Sequence, residues 1–178
     1  LAFSSDGQTL IVADGQPAKS GFVHLVPIHG KSSHQSIKWQ AHADTIFVLD
    51  VSPDGSKLAT AGADRLARVW GLKEQKLLAT LEGHSDYVSA VAFRKDKSQL
   101  ASASADKEIK VWDLKTKELL KNNRYDKEYT FTFPKHSRAV TGLAWLEKGE
   151  TIVSASEDGY ARWCTELKKH KQRRLASA

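Results

Sequence analysis

Short runs in which hydrophobic and small polar residues alternate recur along the chain, and polar turn segments separate them. The runs at 45–51, 87–93 and 139–145 are each followed by a six-residue polar segment and then by a second apolar run. Alternation with a period of two over five to seven residues, bounded by turn residues, predicts β-strands rather than helices. The pattern therefore predicts an all-β chain built from consecutive antiparallel strands.

The strands group into units of four. After a tight turn that contains an Asp, a third run follows at 66–72, 108–114 and 160–166. A fourth strand fits 76–82 in the unit that begins near residue 42, and in the next unit the alternation favours 128–133. Four short strands in every 40–45 residues or so are typical of a β-propeller blade.

Three histidines define the spacing of the units. His42, His84 and His136 are each followed by a hydroxyl residue 18 positions later, an Asp 22 positions later and Trp or Cys 28 positions later. The spacing within a unit is constant, whereas the separation of the histidines rises from 42 to 52 residues. A rigid module with a tolerant connector explains this difference. The sets are His42–Thr60–Asp64–Trp70, His84–Ser102–Asp106–Trp112 and His136–Ser154–Asp158–Cys164.

Residues 1–41 are a fainter copy of the same unit. Their opening, LAFSSDGQTLIVA, aligns with LDVSPDGSKLATA of the next unit, and Val26 takes the Trp position. Segment 14–21 predicts a lengthened loop between the second and third strands, and 36–40 supplies a fourth strand. The chain therefore contains about four units, and the first is clipped at its leading strand.

The dipeptides Gly83–His84 and Trp112–Asp113 complete a pattern that resembles the WD-repeat family of β-propellers. The resemblance extends over essentially the whole chain and is strongest from 42 to 164. It implies an all-β β-propeller of about four blades of four antiparallel strands each, as a partial ring or half of a larger ring. The blades are 1–41 (divergent), 42–83, 84–135 with an insertion near 121–133, and 136–178 with a basic tail at 168–174.

The last unit departs from the pattern at its third strand. Cys164 occupies the position of the Trp, and Trp163 stands one residue earlier. Because successive side chains of a strand point to opposite faces, Trp163 is predicted to lie on the other face of its sheet.

The resemblance also implies that each set forms a buried chain of hydrogen bonds. The indole N–H of Trp112 donates to Ser102, whose hydroxyl donates to His84, and the second ring nitrogen of the histidine donates to Asp106. Each group then has a partner, which is the condition for burying it. The other implied members are His42, Thr60, Asp64 and Trp70, and a truncated set of His136, Ser154 and Asp158.

Ser or Thr, His and Asp are also the components of a nucleophilic triad. A catalytic set occurs once, in a cleft, whereas this one recurs three times with a Trp that catalysis does not need. The structural interpretation is favoured, and no catalytic residue is predicted. The function implied by the resemblance is a non-enzymatic scaffold for protein–protein interaction. The alternative is an accessory propeller of a larger redox-associated or hydrolytic enzyme, which a single unrepeated polar cluster would indicate.

A propeller presents two faces of loops, and function resides in such loops rather than in the fold. One face is formed by the loops around the histidines and the turn aspartates. Its mixed charges suit polar contacts with a protein or peptide partner. The candidate partner-binding residues are Asp44, Arg65, Asp86, Lys107, Arg138 and Glu157.

Composition supports a globular domain. Of the 178 residues, 40% are hydrophobic and 27% charged, and no apolar run approaches the roughly 20 residues of a membrane span. The formal charge of +6 depends on the segment 168–174, which holds five Lys or Arg and no acid. A solvated terminus is favoured there over binding to phosphates or anionic lipids, because the rest of the chain is nearly neutral. A nucleic-acid partner is therefore not expected.

Two further segments contain residues that could form a site. His24, His29 and His34 recur at five-residue intervals, but zinc sites use tighter pairs together with Cys, so a solvated loop is favoured and neither a metal nor a cofactor is predicted. The insertion at 121–133 carries binding-prone residues, but a decorated turn between the third and fourth strands is favoured over a docking site. Those residues are Arg124, Tyr125 and Tyr129.

Four blades leave two open flanks. Either a longer chain completes the ring, or two copies join into an eight-bladed ring. We expect the sequence to be a segment of a longer protein, and we expect the isolated 178 residues to self-associate.

Overall fold

In the computed structural model, the described residues form fifteen β-strands and no helix. These residues are 1–28, 36–95, 99–117, 119–121, 135–146 and 151–165. The strands make four antiparallel sheets in which each strand pairs with its neighbour in sequence. The predicted all-β fold is therefore confirmed. Among the residues that the structure describes, no helix of the length and apolarity needed to cross a membrane is found.

The four sheets follow one another along the chain. Sheet 1 consists of β1 (Ala2–Phe3), β2 (Thr9–Gln16), β3 (Ser20–Pro27) and β4 (Ile37–His42). Sheet 2 consists of β5 (Ile46–Val51), β6 (Lys57–Gly62), β7 (Ala67–Gly71) and β8 (Lys76–Leu81). Sheet 3 consists of β9 (Val88–Phe93), β10 (Gln99–Ser104), β11 (Ile109–Asp113) and β12 (Leu119–Lys121). Sheet 4 consists of β13 (Val140–Trp145), β14 (Thr151–Ser156) and β15 (Ala161–Thr165).

The fourth strand of sheet 3 differs from the prediction. It is β12, which pairs with β11, and not segment 128–133, which lies outside the described residues. A tight turn capped by the Asp113 carboxylate returns the chain directly to the sheet, so pairing begins before the better alternating segment is reached. The insertion therefore follows β12 instead of preceding it. The β12–β13 connection begins and ends at the end of the sheets that carries the Asp turns, because adjacent strands are antiparallel.

Segment 14–21 also differs from the predicted long loop. β2 and β3 continue to a Gln16–Ser20 pair, so the extra residues lengthen both strands and leave only a short turn. A Cβ at Gly15 would lie 2.5 Å from the Cα of Thr45, and one at Gly21 would lie 2.4 Å from the carbonyl oxygen of Asp44. Both glycines therefore allow the extended hairpin to pack against the start of sheet 2.

The sheets pack face to face, with small residues of one sheet against bulky residues of the next. Between sheets 2 and 3, Ala59, Ala61 and Val69 share a buried cluster with Leu100 and Trp112. Removal of this apolar surface from water is the main stabilising contribution, at about 25 cal/mol per Å². Equivalent clusters lie between sheets 1 and 2 and between sheets 3 and 4.

The contact between sheets 3 and 4 compensates for the missing Trp. Cys164 stands opposite Ile152 in the register, as Trp112 stands opposite Leu100. The facing sheet places Ile109 where sheet 2 has Ala67, and both Ile109 and Cys164 belong to the same buried cluster. A larger side chain on one side thus offsets a smaller one on the other, as close packing requires.

A half-buried carboxylate joins sheets 2 and 3. Asp50 Oδ2 accepts a hydrogen bond from the backbone N–H of Phe93 at 2.8 Å. Burial raises the pKa of Asp50, and the backbone hydrogen bonds from Phe93 and Val51 offset only part of this rise. The charged form of this side chain therefore lies in an unfavourable environment.

Candidate interaction face

The set in sheet 3 is connected by three short hydrogen bonds. Trp112 Nε1 lies 2.9 Å from Ser102 Oγ, which lies 2.8 Å from His84 Nε2. His84 Nδ1 lies 2.8 Å from Asp106 Oδ2. The indole can only donate, so the Ser102 hydroxyl accepts from it and donates its own proton to Nε2. Nδ1 then carries the imidazole proton and donates it to the carboxylate.

Sheet 2 repeats this geometry and adds a guanidinium. Trp70 Nε1 and His42 Nε2 lie 2.9 and 2.8 Å from Thr60 Oγ1, and His42 Nδ1 lies 2.9 Å from the nearer oxygen of Asp64. Arg68 Nη1 donates to Asp64 Oδ2 at 2.6 Å. The Asp64 carboxylate is therefore neutralised within its own sheet.

Sheet 4 contains the shorter version. His136 Nε2 lies 2.9 Å from Ser154 Oγ, and Nδ1 lies 3.0 Å from Asp158 Oδ2. No indole donates to Ser154, whose hydroxyl also lies 3.3 Å from the carbonyl oxygen of Arg162. The Arg162 guanidinium donates to Asp158 at 2.7 Å.

The aspartates also hold the neighbouring loops. Asp106 accepts hydrogen bonds from the backbone N–H groups of Ser85 at 3.0 Å and Glu108 at 2.9 Å. Asp158 accepts from the corresponding N–H groups of Ser137 and Tyr160. Each carboxylate thus fastens the segment before the first strand of its sheet to the turn between the second and third strands.

The hydrogen bonds stabilise the charged form of these carboxylates. Burial raises the pKa of Asp106, but the bonds from His84 and from the Glu108 and Ser85 backbones outweigh it and lower the pKa to about 2. Burial also raises the pKa of Asp64, but the hydrogen bonds from His42 and Arg68 outweigh it and lower that pKa below its usual range. In Asp158 the hydrogen bonds from the Ser137 backbone, Arg162 and His136 outweigh burial in the same way. All three aspartates are therefore ionised at neutral pH.

The three hydroxyls are not accessible to a substrate. Thr60 and Ser102 are fully buried, and Ser154 is 3% exposed. A nucleophile must reach its substrate, whereas these oxygens lie between a strand and an imidazole. Within this structure the sets are suited to fastening loops.

We call the end of the sheets formed by segments 42–45, 84–87 and 136–139 and by the turns 62–65, 104–107 and 156–159 the loop face. Most candidate partner-binding residues project there into solvent. The exposed ones are Arg65, Asp86, Lys107, Arg138 and Glu157.

Asp44 is used differently from the other candidates. It is half-buried, and its Oδ1 accepts from the backbone N–H groups of Ala18 and Thr45, each at 2.7 Å. Its carboxylate therefore ties the tip of the β2–β3 hairpin to the start of sheet 2. That tertiary contact, which spans 26 residues of sequence, had no local signal.

An aromatic pair joins Phe47 of β5 to Tyr87 of the loop face, and the sequence did not predict it. Phe47 is 54% exposed, and its ring meets that of Tyr87 edge to face at a centroid distance of 5.5 Å. Phe47 stands five residues after His42, where the other units have Ser89 and Thr141. The replacement of a small polar residue by an aromatic one was the sequence signal for this pair. The apolar run around Phe47 indicated a buried strand instead.

The other candidate segments yield no site in the part of the chain that the structure describes. His24 Nε2 pairs with Asp14 Oδ2 at 2.9 Å, and no group of three or more His, Cys, Asp or Glu among the described residues is arranged to hold a metal. His29, His34, the basic tail 168–174 and the insertion residues Arg124, Tyr125 and Tyr129 lie outside the described residues.

Comparison with known proteins finds a family of repeats that this chain matches. The family model for the WD domain, G-beta repeat, matches residues 33–71, 75–113 and 127–163. Target of rapamycin complex subunit LST8 of Saccharomyces cerevisiae is 36% identical over 47% of the chain and 28% of its own length. The Caenorhabditis elegans periodic tryptophan protein 2 homolog is 27% identical over 96% of the chain and 13% of its own length.

Two solved structures share the fold. The structure of U3-55K superposes with a TM-score of 0.73 at 27% identity, covering 91% of this chain and 46% of that one. The RRP9 WD40 repeats superpose with a TM-score of 0.70 at 24% identity and equal coverage. The chain thus spans less than half the length of each of these proteins. The family match and the four sheets together identify it as a member of the WD-repeat family with a β-propeller fold.

Proposed function

We propose that this chain is a non-enzymatic interaction scaffold whose loop face binds a protein or peptide partner. The observation that carries the proposal is the contrast between two groups of residues. The groups of each polar set bond to one another in the interior, whereas the adjacent loops expose the side chains of Arg65, Lys107, Arg138 and Glu157, for which no hydrogen-bond partner is found among the described residues. A platform of fixed loops with free side chains is suited to recognition.

Preorganisation of the loops supports this role. The carboxylates of Asp106 and Asp158 each hold two segments of the loop face through backbone N–H groups. Loops that are already ordered lose little conformational entropy on binding. The conformation of these turns is also constrained, because Arg65 and Lys107 adopt positive φ angles of 67° and 71°.

The chemistry of the loop face indicates the class of partner. Arg65, Lys107 and Arg138 are exposed on the loop face, and Asp86 precedes Tyr87, whose ring contacts that of exposed Phe47. Arg and aromatic residues are frequent energetic anchors of protein interfaces. The names of two similar proteins, LST8 and polyadenylation factor subunit 2, describe subunits of assemblies. These features favour a peptide segment that carries carboxylates and an apolar anchor.

The test compares two charge-reversed variants of the intact protein. The first changes Arg65, Lys107 and Arg138 to Glu. The second changes three exposed lysines in turns at the opposite end of the sheets and alters the net charge equally. Those lysines are Lys73, Lys95 and Lys115.

Partners are captured with the wild-type protein, and their affinities for both variants are measured by calorimetry. We expect the loop-face variant to lose binding by at least tenfold and the control to bind like the wild type. Equal binding by both variants would contradict the proposed face. Binding of RNA rather than protein, lost equally in both variants and with rising salt, would show a non-specific electrostatic role instead.

A further inference from the structure

The packing of the sheets does not account for the aromatic pair Phe47–Tyr87. Sheet 2 is covered on both faces, by sheet 1 and by sheet 3, yet Phe47 on its first strand is 54% exposed and belongs to neither of the clusters that cover these faces. The same position of the next two units holds Ser89 and Thr141, so the fold accepts a small polar residue there. An exposed ring outside the buried clusters is available for contact with an apolar group of another molecule.

The two rings form an apolar corner. They stand at 80° to each other, with their centroids 5.5 Å apart. Tyr87 is half-buried, and its hydroxyl has no hydrogen-bond partner among the described residues. Two rings at nearly a right angle can contact one inserted side chain from two sides, and the phenol can donate to a backbone carbonyl of the same ligand.

Backbone hydrogen bonds fix a cationic turn to the segment that carries each ring. In sheet 3 the N–H of Ala105 donates to the carbonyl oxygen of Tyr87 at 3.1 Å. In sheet 2 the N–H of Ala63 donates at 2.9 Å to the carbonyl oxygen of Thr45, two residues before the other ring. Each of these turns carries one exposed cation, which is Arg65 in sheet 2 and Lys107 in sheet 3.

The charges that remain without a partner in these segments are positive. The side chains of Arg65 and Lys107 form no hydrogen bond or ion pair with a described residue. By contrast, every carboxylate of the segments that carry the rings, and of the two turns fixed to them, accepts at least one hydrogen bond. These carboxylates belong to Asp44, Asp64, Asp86 and Asp106. A ligand that supplies carboxylates therefore complements the two cations.

We propose that this part of the loop face binds an acidic–apolar–acidic motif of a protein partner. One aromatic or branched aliphatic side chain of the motif contacts Phe47 and Tyr87, and the carboxylates on either side of it bind Arg65 and Lys107. The assignment rests on the proposed function and gives each group of the ligand a particular site. A peptide is favoured over a single-stranded nucleic acid, because the exposed carboxylate of Asp86, next to Tyr87 in sequence, repels a continuous row of phosphates.

Peptide selection on the intact protein provides the probe. A displayed library of random peptides is expected to yield sequences in which an aromatic residue, Leu or Ile is flanked on both sides by Asp or Glu. The tightest of these peptides is labelled with fluorescein, and its affinity is measured by fluorescence anisotropy. A selection that enriches no peptide with this motif would overturn the proposal.

Phe47→Ser tests the anchor. Ser occupies the same position in sheet 3, and the ring is 54% exposed, so the variant is expected to keep the circular dichroism of the wild type. Loss of the apolar contact is expected to weaken binding of the selected peptide by about tenfold. Leu77→Ser is the matched control, because it removes a 44% exposed apolar side chain from β8, and it is expected to bind like the wild type.

A double-mutant cycle tests the two charges. The selected peptide is compared with a version in which its Asp and Glu residues are replaced by Asn and Gln. The wild type is expected to prefer the acidic version by about tenfold, whereas the variant with Arg65→Gln and Lys107→Gln is expected to bind both versions equally. A variant with Lys73→Gln and Lys115→Gln loses the same charge at the opposite end of the sheets and is expected to keep the preference.

The outcomes separate this assignment from the proposed function. If Phe47→Ser binds the peptide like the wild type while the loop-face charge variant loses it, the assignment is wrong and the loop face still binds a partner. If neither variant changes the affinity, both proposals are wrong. Binding of a labelled oligouridine that Phe47→Ser abolishes would also overturn the assignment, because it would show that the ring stacks on a base.

Discussion

Replacement of Ser102 by Ala tests the hydrogen-bonded set of sheet 3 most directly. The hydroxyl serves two buried groups, the indole N–H of Trp112 at 2.9 Å and the Nε2 of His84 at 2.8 Å. Both groups lose their partner in the variant, and neither can reach water, because Trp112 is 3% and His84 8% exposed. At about 1–3 kcal/mol for each unmet buried group, the substitution is expected to cost about 2–6 kcal/mol of unfolding free energy.

Ser154→Ala in sheet 4 is the matched control. Its hydroxyl serves the imidazole of His136 at 2.9 Å, but the Trp position is Cys164 and no indole donates to it. One buried group is orphaned instead of two, so the expected cost is about 1–3 kcal/mol. The difference between the two variants isolates the contribution of the indole N–H.

Urea denaturation followed by tryptophan fluorescence measures both costs. With an m value of about 2 kcal/mol/M, the midpoint of Ser102→Ala is expected to lie about 1 M below that of Ser154→Ala, with unchanged slopes. Equal midpoints would refute the reasoning, because they would show that the indole bond does not contribute to stability. A loss below about 0.5 kcal/mol in both variants would refute the role of the sets altogether.

The remaining predictions concern carboxylates and close contacts. Asp106→Ala is expected to cost about 1–3 kcal/mol in the same assay. The pKa of Asp106 is lowered to about 2 in the folded state, so its contribution to the free energy of unfolding is complete above the unfolded value of about 3.9. This contribution is lost as the pH falls towards 2, which urea titrations from pH 6 to pH 2 will show. The effect of pH on the contribution of Asp50 is opposite, because its raised pKa means that its charge costs stability as the pH rises. Asp50→Asn is therefore expected to raise the Tm at pH 7. This advantage should disappear at low pH, where the wild-type group is protonated. Gly62→Ala would place a Cβ 2.0 Å from the carbonyl oxygen of Thr45 and is expected to cost about 3 kcal/mol or more, whereas Gly142→Ala, whose Cβ would lie 3.6 Å from its nearest neighbour, is expected to shift the urea midpoint little.

The repeat spacing carried most of the architecture. Strand alternation and turn residues are local signals, so the four sheets, their antiparallel order and the family resemblance could be derived without coordinates. The constant offsets from each histidine also identified the groups that the structure brings within hydrogen-bond distance. The face of Trp163 followed from its one-residue shift, since strand side chains alternate, and it lies opposite to buried Cys164.

Features at the edges of the sheets required the tertiary structure. The alternation of 128–133 is better than that of 119–121, yet the shorter segment forms β12 because a tight turn brings it to the edge first. Asp44 resembled Asp86 in sequence, but only Asp44 meets the tip of a distant hairpin. Phe47 lies in an apolar run and is nevertheless exposed, because the position of its strand among the packed sheets decides which side chains a neighbouring sheet covers.

The strands, their grouping into units and the members of each polar set follow from the order of the residues alone, because period-two alternation and fixed repeat spacing are local features of the chain. Which faces are covered, which edges pair and which charged side chains are exposed on the loop face follow only from the packing of the sheets. These depend on contacts between residues far apart in sequence, whose free energy is gained only once the sheets have packed.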